Sequence, residues 1–240
     1  MAITNKTVEV LADQTALIQR LQEIILSRLH TAIESRDRFT IALSGGSTPQ
    51  PLYESLSSQS LPWSKIHIFW GDERYVPATH QDSNQLMARQ AWLDKIEIPE
   101  SNIHPMNTTS GDPQQDAKQH EAELRQFFET ESGFPTFDLV LLGIGDDGHT
   151  ASLFPYTEAL SVRDRLITVG NKDDQPRLTF TVPLINQARC VVFVVAGDNK
   201  RSALKQVFAA QADEMQYPSR LIQPQGELIW LLDQAAAAEL

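Results

Sequence analysis

Phe137-Asp138-Leu139-Val140-Leu141-Leu142 runs directly into Gly143-Ile144-Gly145-Asp146-Asp147-Gly148-His149-Thr150-Ala151-Ser152-Leu153-Phe154-Pro155. The first six residues form an apolar run with one acid and no polar alternation, the pattern of a strand buried on both faces. Three glycines then let the main chain turn sharply and approach a ligand closely. That turn delivers two carboxylates and one imidazole to the strand's carboxyl end, where open α/β sheets bind their ligands. The stretch predicts a sheet architecture and a site at once.

Gly143, Gly145 and Gly148 also satisfy G-x-G-x-x-G, the dinucleotide fingerprint. That fingerprint requires a long helix whose N-terminus holds a pyrophosphate, and Pro155 stops the following segment within about two turns. Asp146 and Asp147 would place negative charge against the pyrophosphate. Asp164 and Asp173 bracket the distance expected of a ribose-binding acid, but neither ends a clear second strand. No cofactor is expected.

Outward from this stretch, strand and helix patterns alternate. Leu17, Leu21, Ile24, Ile25, Leu29 and Ile33 recur at helical spacing between Asp13 and Ser35. Strands are predicted at 39–43, 66–70 and 190–195, with a weaker pair at 166–169 and 178–182 and a last strand at 228–232 closing the sheet. Helices are predicted at 51–56, 83–93 and 199–210, and from Asp112-Pro113, a cap followed by proline, to about Thr130. Alternating elements with apolar strands indicate an α/β fold, a mainly parallel sheet with helices on both faces. Residues 1–240 read as a single domain, in which 144–185 is the least regular stretch and a candidate lobe or lid.

The chain has 240 residues, 41% of them hydrophobic, and 20 Lys+Arg against 31 Asp+Glu give a net charge of −11. Nucleic acid is an unsuitable partner for such a balance. Salt screens remote charges over about 8 Å, so any anion site must be a local island of positive charge. Cys190 alone excludes a disulfide or cysteine-based zinc framework and reads as a core residue. The N-terminus lacks an apolar signal core and no stretch approaches the length of a membrane span, so a cytoplasmic location without a membrane partner is expected.

Ser44-Gly45-Gly46-Ser47-Thr48-Pro49 joins a strand to a helix and offers amides, hydroxyls and the positive end of a helix dipole to a phosphate. Gly-Lys-Ser/Thr is absent, so it is not a Walker loop. The plain alternative is a turn capped by Thr48. Gly71-Asp72-Glu73-Arg74-Tyr75-Val76-Pro77 leaves another strand end, with Arg74 placed to grip a phosphate or carboxylate and Asp72 or Glu73 to hold Arg74. Lys200 and Arg201 open a helix, where cations oppose the dipole unless an anion compensates; Arg177 is a further candidate. Of six histidines, only His149 lies in a glycine-rich strand end, while His30 and His120 read as exposed helix positions. No paired-histidine metal motif or Gly-x-Ser-x-Gly elbow exists, so neither a metal nor a serine nucleophile is expected. His149 suits general acid–base work, with Asp147 orienting its ring.

Ser44 to Pro49, Gly71 to Pro77 with Asp82-Ser83-Asn84, and Gly143 to Pro155 together resemble the 6-phosphogluconolactonase family, in order and over nearly the whole length. The resemblance implies a Rossmann-like fold shared with amino-sugar-phosphate deaminases. It also implies metal-independent hydrolysis of 6-phospho-D-glucono-1,5-lactone to 6-phosphogluconate in the oxidative pentose phosphate pathway. The related glucosamine-6-phosphate deaminases carry Asp-Glu-Tyr where this chain has Asp72-Glu73-Arg74, and Ile-Ala-Phe-Asn-Glu-Pro after the histidine where it has Thr150-Ala-Ser-Leu-Phe-Pro155. Both departures favour the lactonase. A non-catalytic sugar-phosphate sensor would need the phosphate loop but not His149 or Asp147.

On that basis His149, Asp147 and Arg74 are the expected catalytic residues, with the essential carboxylate left open among Asp72, Asp146 and Asp147. Ser44, Gly45, Gly46, Ser47, Thr48, Arg74, Arg177 and Lys200 are the expected phosphate ligands. The 145–148 turn or Arg74 would steady the oxyanion, and Ser152 reads as a cap or packing residue. A monomer acting on a small-molecule sugar-phosphate lactone is expected.

Overall fold

The computed structural model describes residues 5–240. Residues 1–4, part of the N-terminus expected to lack a signal core, lie outside them. The elements in chain order are β1 (Asn5–Leu11), α1 (Gln14–Arg36), β2 (Phe39–Leu43), α2 (Gln50–Leu56), β3 (Ile66–Trp70), β4 (Asp72–Arg74), α3 (Asn84–Ala91) and α4 (Pro113–Phe127). They continue with β5 (Leu139–Leu142), β6 (Ile167–Lys172), β7 (Gln175–Phe180), α5 (Val182–Asn186), β8 (Cys190–Val195), α6 (Arg201–Phe208) and β9 (Glu227–Asp233).

Six strands form a wholly parallel sheet in the order β1-β9-β8-β5-β2-β3. Alternate residues of one strand face opposite ways, and each side of this sheet is covered. Leu139 and Leu141 join the core under α1, α2 and α3, whereas Val140 and Leu142 join the core on the other face. β8 divides in the same way, with Val192 and Val194 on one side and Val191 and Phe193 on the other. Two buried faces are why these strands carry no polar alternation. Cys190 is a buried core residue whose thiol burial pushes up to about 11.

Helix starts follow the expected chemistry. Asp13 accepts from Ala16 N, Ser83 from Leu86 N, and Asp112 from Gln114 N and Gln115 N with Pro113 at the first helical position. Several expectations need correction. β9 does not close the sheet, because β1 pairs along its outer side. Residues 72–74 are a strand, and with β7 and β6 they make a second, antiparallel sheet in the order β4-β7-β6. Within the 144–185 stretch expected to be irregular, β6 and β7 therefore form a regular hairpin, and Val182 begins a helix. His120 is 1% exposed, not on an outer face. No helix of the described residues is long and apolar enough to cross a membrane.

Candidate active site

From β2 the chain steps to β3 on one side, and it later steps from β5 to β8 and β9 on the other. Such a reversal opens a crevice beyond the strand ends. The turns after β2 and β5 both line a cavity of about 410 Å³ there.

The Ser44–Thr48 loop is pinned from below by buried Tyr53, whose hydroxyl donates to the Ser44 carbonyl at 2.7 Å. A Cβ on Gly45 would collide with the Asn84 amide, so glycine is what lets the loop close onto α3. Among the described residues, the amides of Gly45, Gly46, Ser47 and Thr48 donate to no protein group. Thr48 is not a cap. The N-cap of α2 is Pro49, with no side-chain hydrogen bond. α2 has only seven residues, so attraction for an anion rests on the loop's own amides.

Arg74 is held by neither Asp72 nor Glu73, as expected of them, but by the Asp82 carbonyl, which accepts from Nη1 at 2.7 Å. Glu73 does different work. Its buried carboxylate accepts from the amides of Arg74, Asn84 and Gln85 and from Ser83 Oγ, tying β4 to the start of α3. Burial pushes the Glu73 carboxyl up against the pull of those donors. Asp72 lines the cavity and accepts from buried Ser152 Oγ at 2.6 Å, which gives Ser152 a polar role beyond packing.

Arg74 and Arg177 stand directly opposite each other across β4 and β7. Like charges so placed repel, and each Nε is buried without a hydrogen-bond partner. Burial, with Arg74 beside it, lowers the pKa of Arg177. Its guanidinium lies 5.5 Å from the Phe154 ring centroid, while the His149 ring lies 4.5 Å from the same ring. Both cations line the cavity, as does Lys200, which pairs with Asp146 at 2.6 Å and holds that carboxyl below its usual range. Lys200 at its helix start is thus already compensated in part. Arg201 is turned away, donating from Nε to the Ala235 carbonyl.

His149 lines the cavity, and Asp147 stands behind it. Asp147 Oδ1 accepts from His149 Nδ1 at 2.5 Å and from His149 N at 3.0 Å. Burial pushes the Asp147 carboxyl up, but the two His149 hydrogen bonds outweigh it and hold the group at about 2. An ionised carboxylate only accepts, so Nδ1 carries a proton, and in the neutral ring Nε2 is then the acceptor. The turn itself is closed: Gly145 N donates to the His149 carbonyl at 2.8 Å, and Gly148 N to the Gly145 carbonyl at 3.0 Å. Those two amides are engaged and are removed as oxyanion donors, which leaves the amides of Asp146 and Asp147 in the turn without a protein acceptor among the described residues. No helix opens directly from it.

Residues 12–230 match the family model described as glucosamine-6-phosphate isomerases/6-phosphogluconolactonase. The chain belongs to this family. It is 65% identical over 236 residues to 6-phosphogluconolactonase of Nostoc sp., covering 98% of each chain. To the enzyme of that name from Synechocystis sp. it is 64% identical over 234 residues, covering 97% of this chain and 98% of the relative. The solved 6-phosphogluconolactonase from Trypanosoma cruzi superposes with a TM-score of 0.88 at 30% identity, over 100% of this chain and 98% of that one.

The structure brings this family member's three strand-end motifs to one cavity. Ser44 to Thr48, Arg74, His149, Arg177 and Lys200 all line it. Sequence reasoning missed the end of β8, where Val194 to Ala196 form part of the wall. It also gave Asn84 no role of its own, although the Asn84 amide donates to the Asp72 carbonyl at 2.9 Å and abuts Gly45. No sequence signal marks a contact between a loop and a helix start so far apart in the chain. Among the described residues, no group of three His, Cys, Asp or Glu side chains could hold a metal ion.

Proposed function

We propose that this protein hydrolyses 6-phospho-D-glucono-1,5-lactone to 6-phosphogluconate, the step of that name in the oxidative pentose phosphate pathway. The observation that carries the reading is the pairing, in one cavity, of four unengaged loop amides with an Asp147-backed imidazole. The relatives named for this reaction, aligned over nearly their whole length, supply the substrate.

The 6-phosphate sits on the amides of Gly45 to Thr48, with Arg74 and Lys200 neutralising its charge. Lys200 exchanges part of its contact with Asp146 for the phosphate. The lactone carbonyl then lies against His149, and Nε2 takes a proton from water as the water oxygen bonds to C1. Arg177, close to the same Phe154 ring as His149, meets the charge that develops on the carbonyl oxygen. As the C1 to ring-oxygen bond breaks, the imidazolium returns its proton to that oxygen. Asp147 fixes the tautomer and steadies the charged ring. Water is the nucleophile, and no metal or covalent intermediate takes part.

The test is a stopped assay on freshly generated lactone, with glucosamine-6-phosphate offered in parallel. Acid release well above the spontaneous rate, without ammonia from the amino sugar, is the expected result. Ammonia release, or hydrolysis at only the spontaneous rate, would overturn the reading.

A further inference from the structure

The turn that carries His149 is closed internally at Gly145 and Gly148 and tied by Thr150 Oγ1 to the Gly143 carbonyl, and its Gly148 carbonyl points outward to a distant segment. Gly148 O accepts from Ser219 N at 3.0 Å and from Ser219 Oγ at 2.8 Å, a link across 71 residues. Ser219 is 1% exposed. Tyr217 lies so close that a Cβ on Gly148 would overlap its ring, and Gly148 also has φ +82°. The same downstream segment grips the chain beyond His149: Tyr156 N donates to the Met215 carbonyl at 3.0 Å, and Tyr156 Oη to Asp213 Oδ2 at 2.9 Å. His149 is thus bracketed on both sides by residues 213–219.

The Gly148 carbonyl and the His149 N–H belong to one planar peptide unit. Ser219 holds its oxygen end. At the other end, the N–H donates to the Asp147 oxygen that also accepts from His149 Nδ1. Rotation of this peptide would therefore take Asp147 off the imidazole. We propose that Ser219 is a positioning residue for the reaction, acting through the Gly148–His149 peptide to keep Asp147 on His149 and the ring aimed at the lactone carbonyl. The inference rests on the reading of His149 as the proton acceptor. A hydroxyl that merely satisfied a buried carbonyl would contribute to stability alone.

The experiment measures kcat, KM and melting temperature for Ser219→Ala in the wild-type and Asp147→Ala backgrounds, with His149→Asn alongside. Ser219→Ala keeps the backbone donor and loses the hydroxyl. Its kcat is expected to fall roughly tenfold, inside the about 10²-fold that misplacing a reacting group can cost, with KM unchanged. In the Asp147→Ala background the same change should leave kcat where it is, because the link it protects is already cut. An unchanged kcat in Ser219→Ala, or an equal loss in both backgrounds, overturns the proposal. A fully active His149→Asn overturns the underlying reading instead, and is recognised independently of Ser219.

Discussion

The turns after β2 and β5 are both glycine-rich, both end parallel strands, and lie side by side, yet only the second closes on its own amides. In the 44–48 loop four amides find no protein partner, and the backbone is an open receptor. In the 143–149 turn the amides of Gly145, Gly148 and His149 are engaged within the turn, and what faces the cavity is a side chain. Glycine also serves each differently. Gly45 is needed because Asn84 leaves no room for a Cβ, whereas at Gly145 the space is taken by the His149 ring and the Asp147 carboxylate. Counting hydrogen bonds separates receiver from presenter, where the glycine pattern does not.

The largest expected effect tests the presenter. His149→Asn should lower kcat by about 10²- to 10⁴-fold, the usual share of general acid–base help, with KM nearly unchanged in steady-state assays. Turnover at the wild-type rate would leave the closed turn with nothing to present.

The two facing arginines sharpen the contrast, since one is assigned to each side of it. Arg177→Ala should mainly lower kcat, by about 10²- to 10³-fold as for loss of one oxyanion donor. Arg74→Ala should mainly raise KM, as expected when binding common to ground and transition states is lost. Identical kinetic signatures would mean that the pair works as one anion clamp.

A smaller effect belongs to the receiver. Gly46 has φ +95°, but a Cβ there meets nothing within 4 Å. Gly46→Ala should therefore cost only the strain of that backbone, about 1–2 kcal/mol, lowering Tm by about 2–4 °C for each kcal/mol in a chain of this size. A much larger fall in Tm would show that the loop cannot keep its open shape with a side chain.

How far sequence reached depended on how burial was achieved. Leu139 to Leu142 and Cys190 to Val195 are buried by apolar surface alone, and both strands were legible. β4 consists of Asp72, Glu73 and Arg74, buried through hydrogen bonds to Ser152 and the start of α3, so hydropathy suggests a loop. β1 is an edge strand in which Val8 and Val10 are exposed, and its alternating sequence lacks the run that marked the others. In α4 the inward stripe is Asp116, Ala117, His120 and Leu124, so a polar residue there reads as outward. The site residues stood out because polar groups beside glycines at strand ends have few other uses. Asn84 and Ser219 did not, because what matters about them is a partner far away in the chain.

The last and smallest effect compares His149 with a histidine that has no access to the cavity. His104 Nε2 lies 3.2 Å from His67 Nδ1, and its ring stacks on Phe69 at 4.3 Å. Burial first, then the neighbouring His67 and His120, pulls the His104 pKa down to about 4, against a weaker opposing pull from Glu123. Burial and Arg38 lower His67 as well. An unfolded histidine titrates near about 6.5. Between that pH and about 4 the unfolded chain therefore binds more protons than the folded one, and stability falls as the pH is lowered through this window. His104→Phe keeps an aromatic ring against Phe69 and removes the titrating group, so its Tm should fall less steeply over that range, with lactone turnover at neutral pH unchanged. An equal slope would assign the acid sensitivity to other groups. An altered turnover would mean that this aromatic cluster, on the Phe127 side of the sheet, reaches the cavity after all.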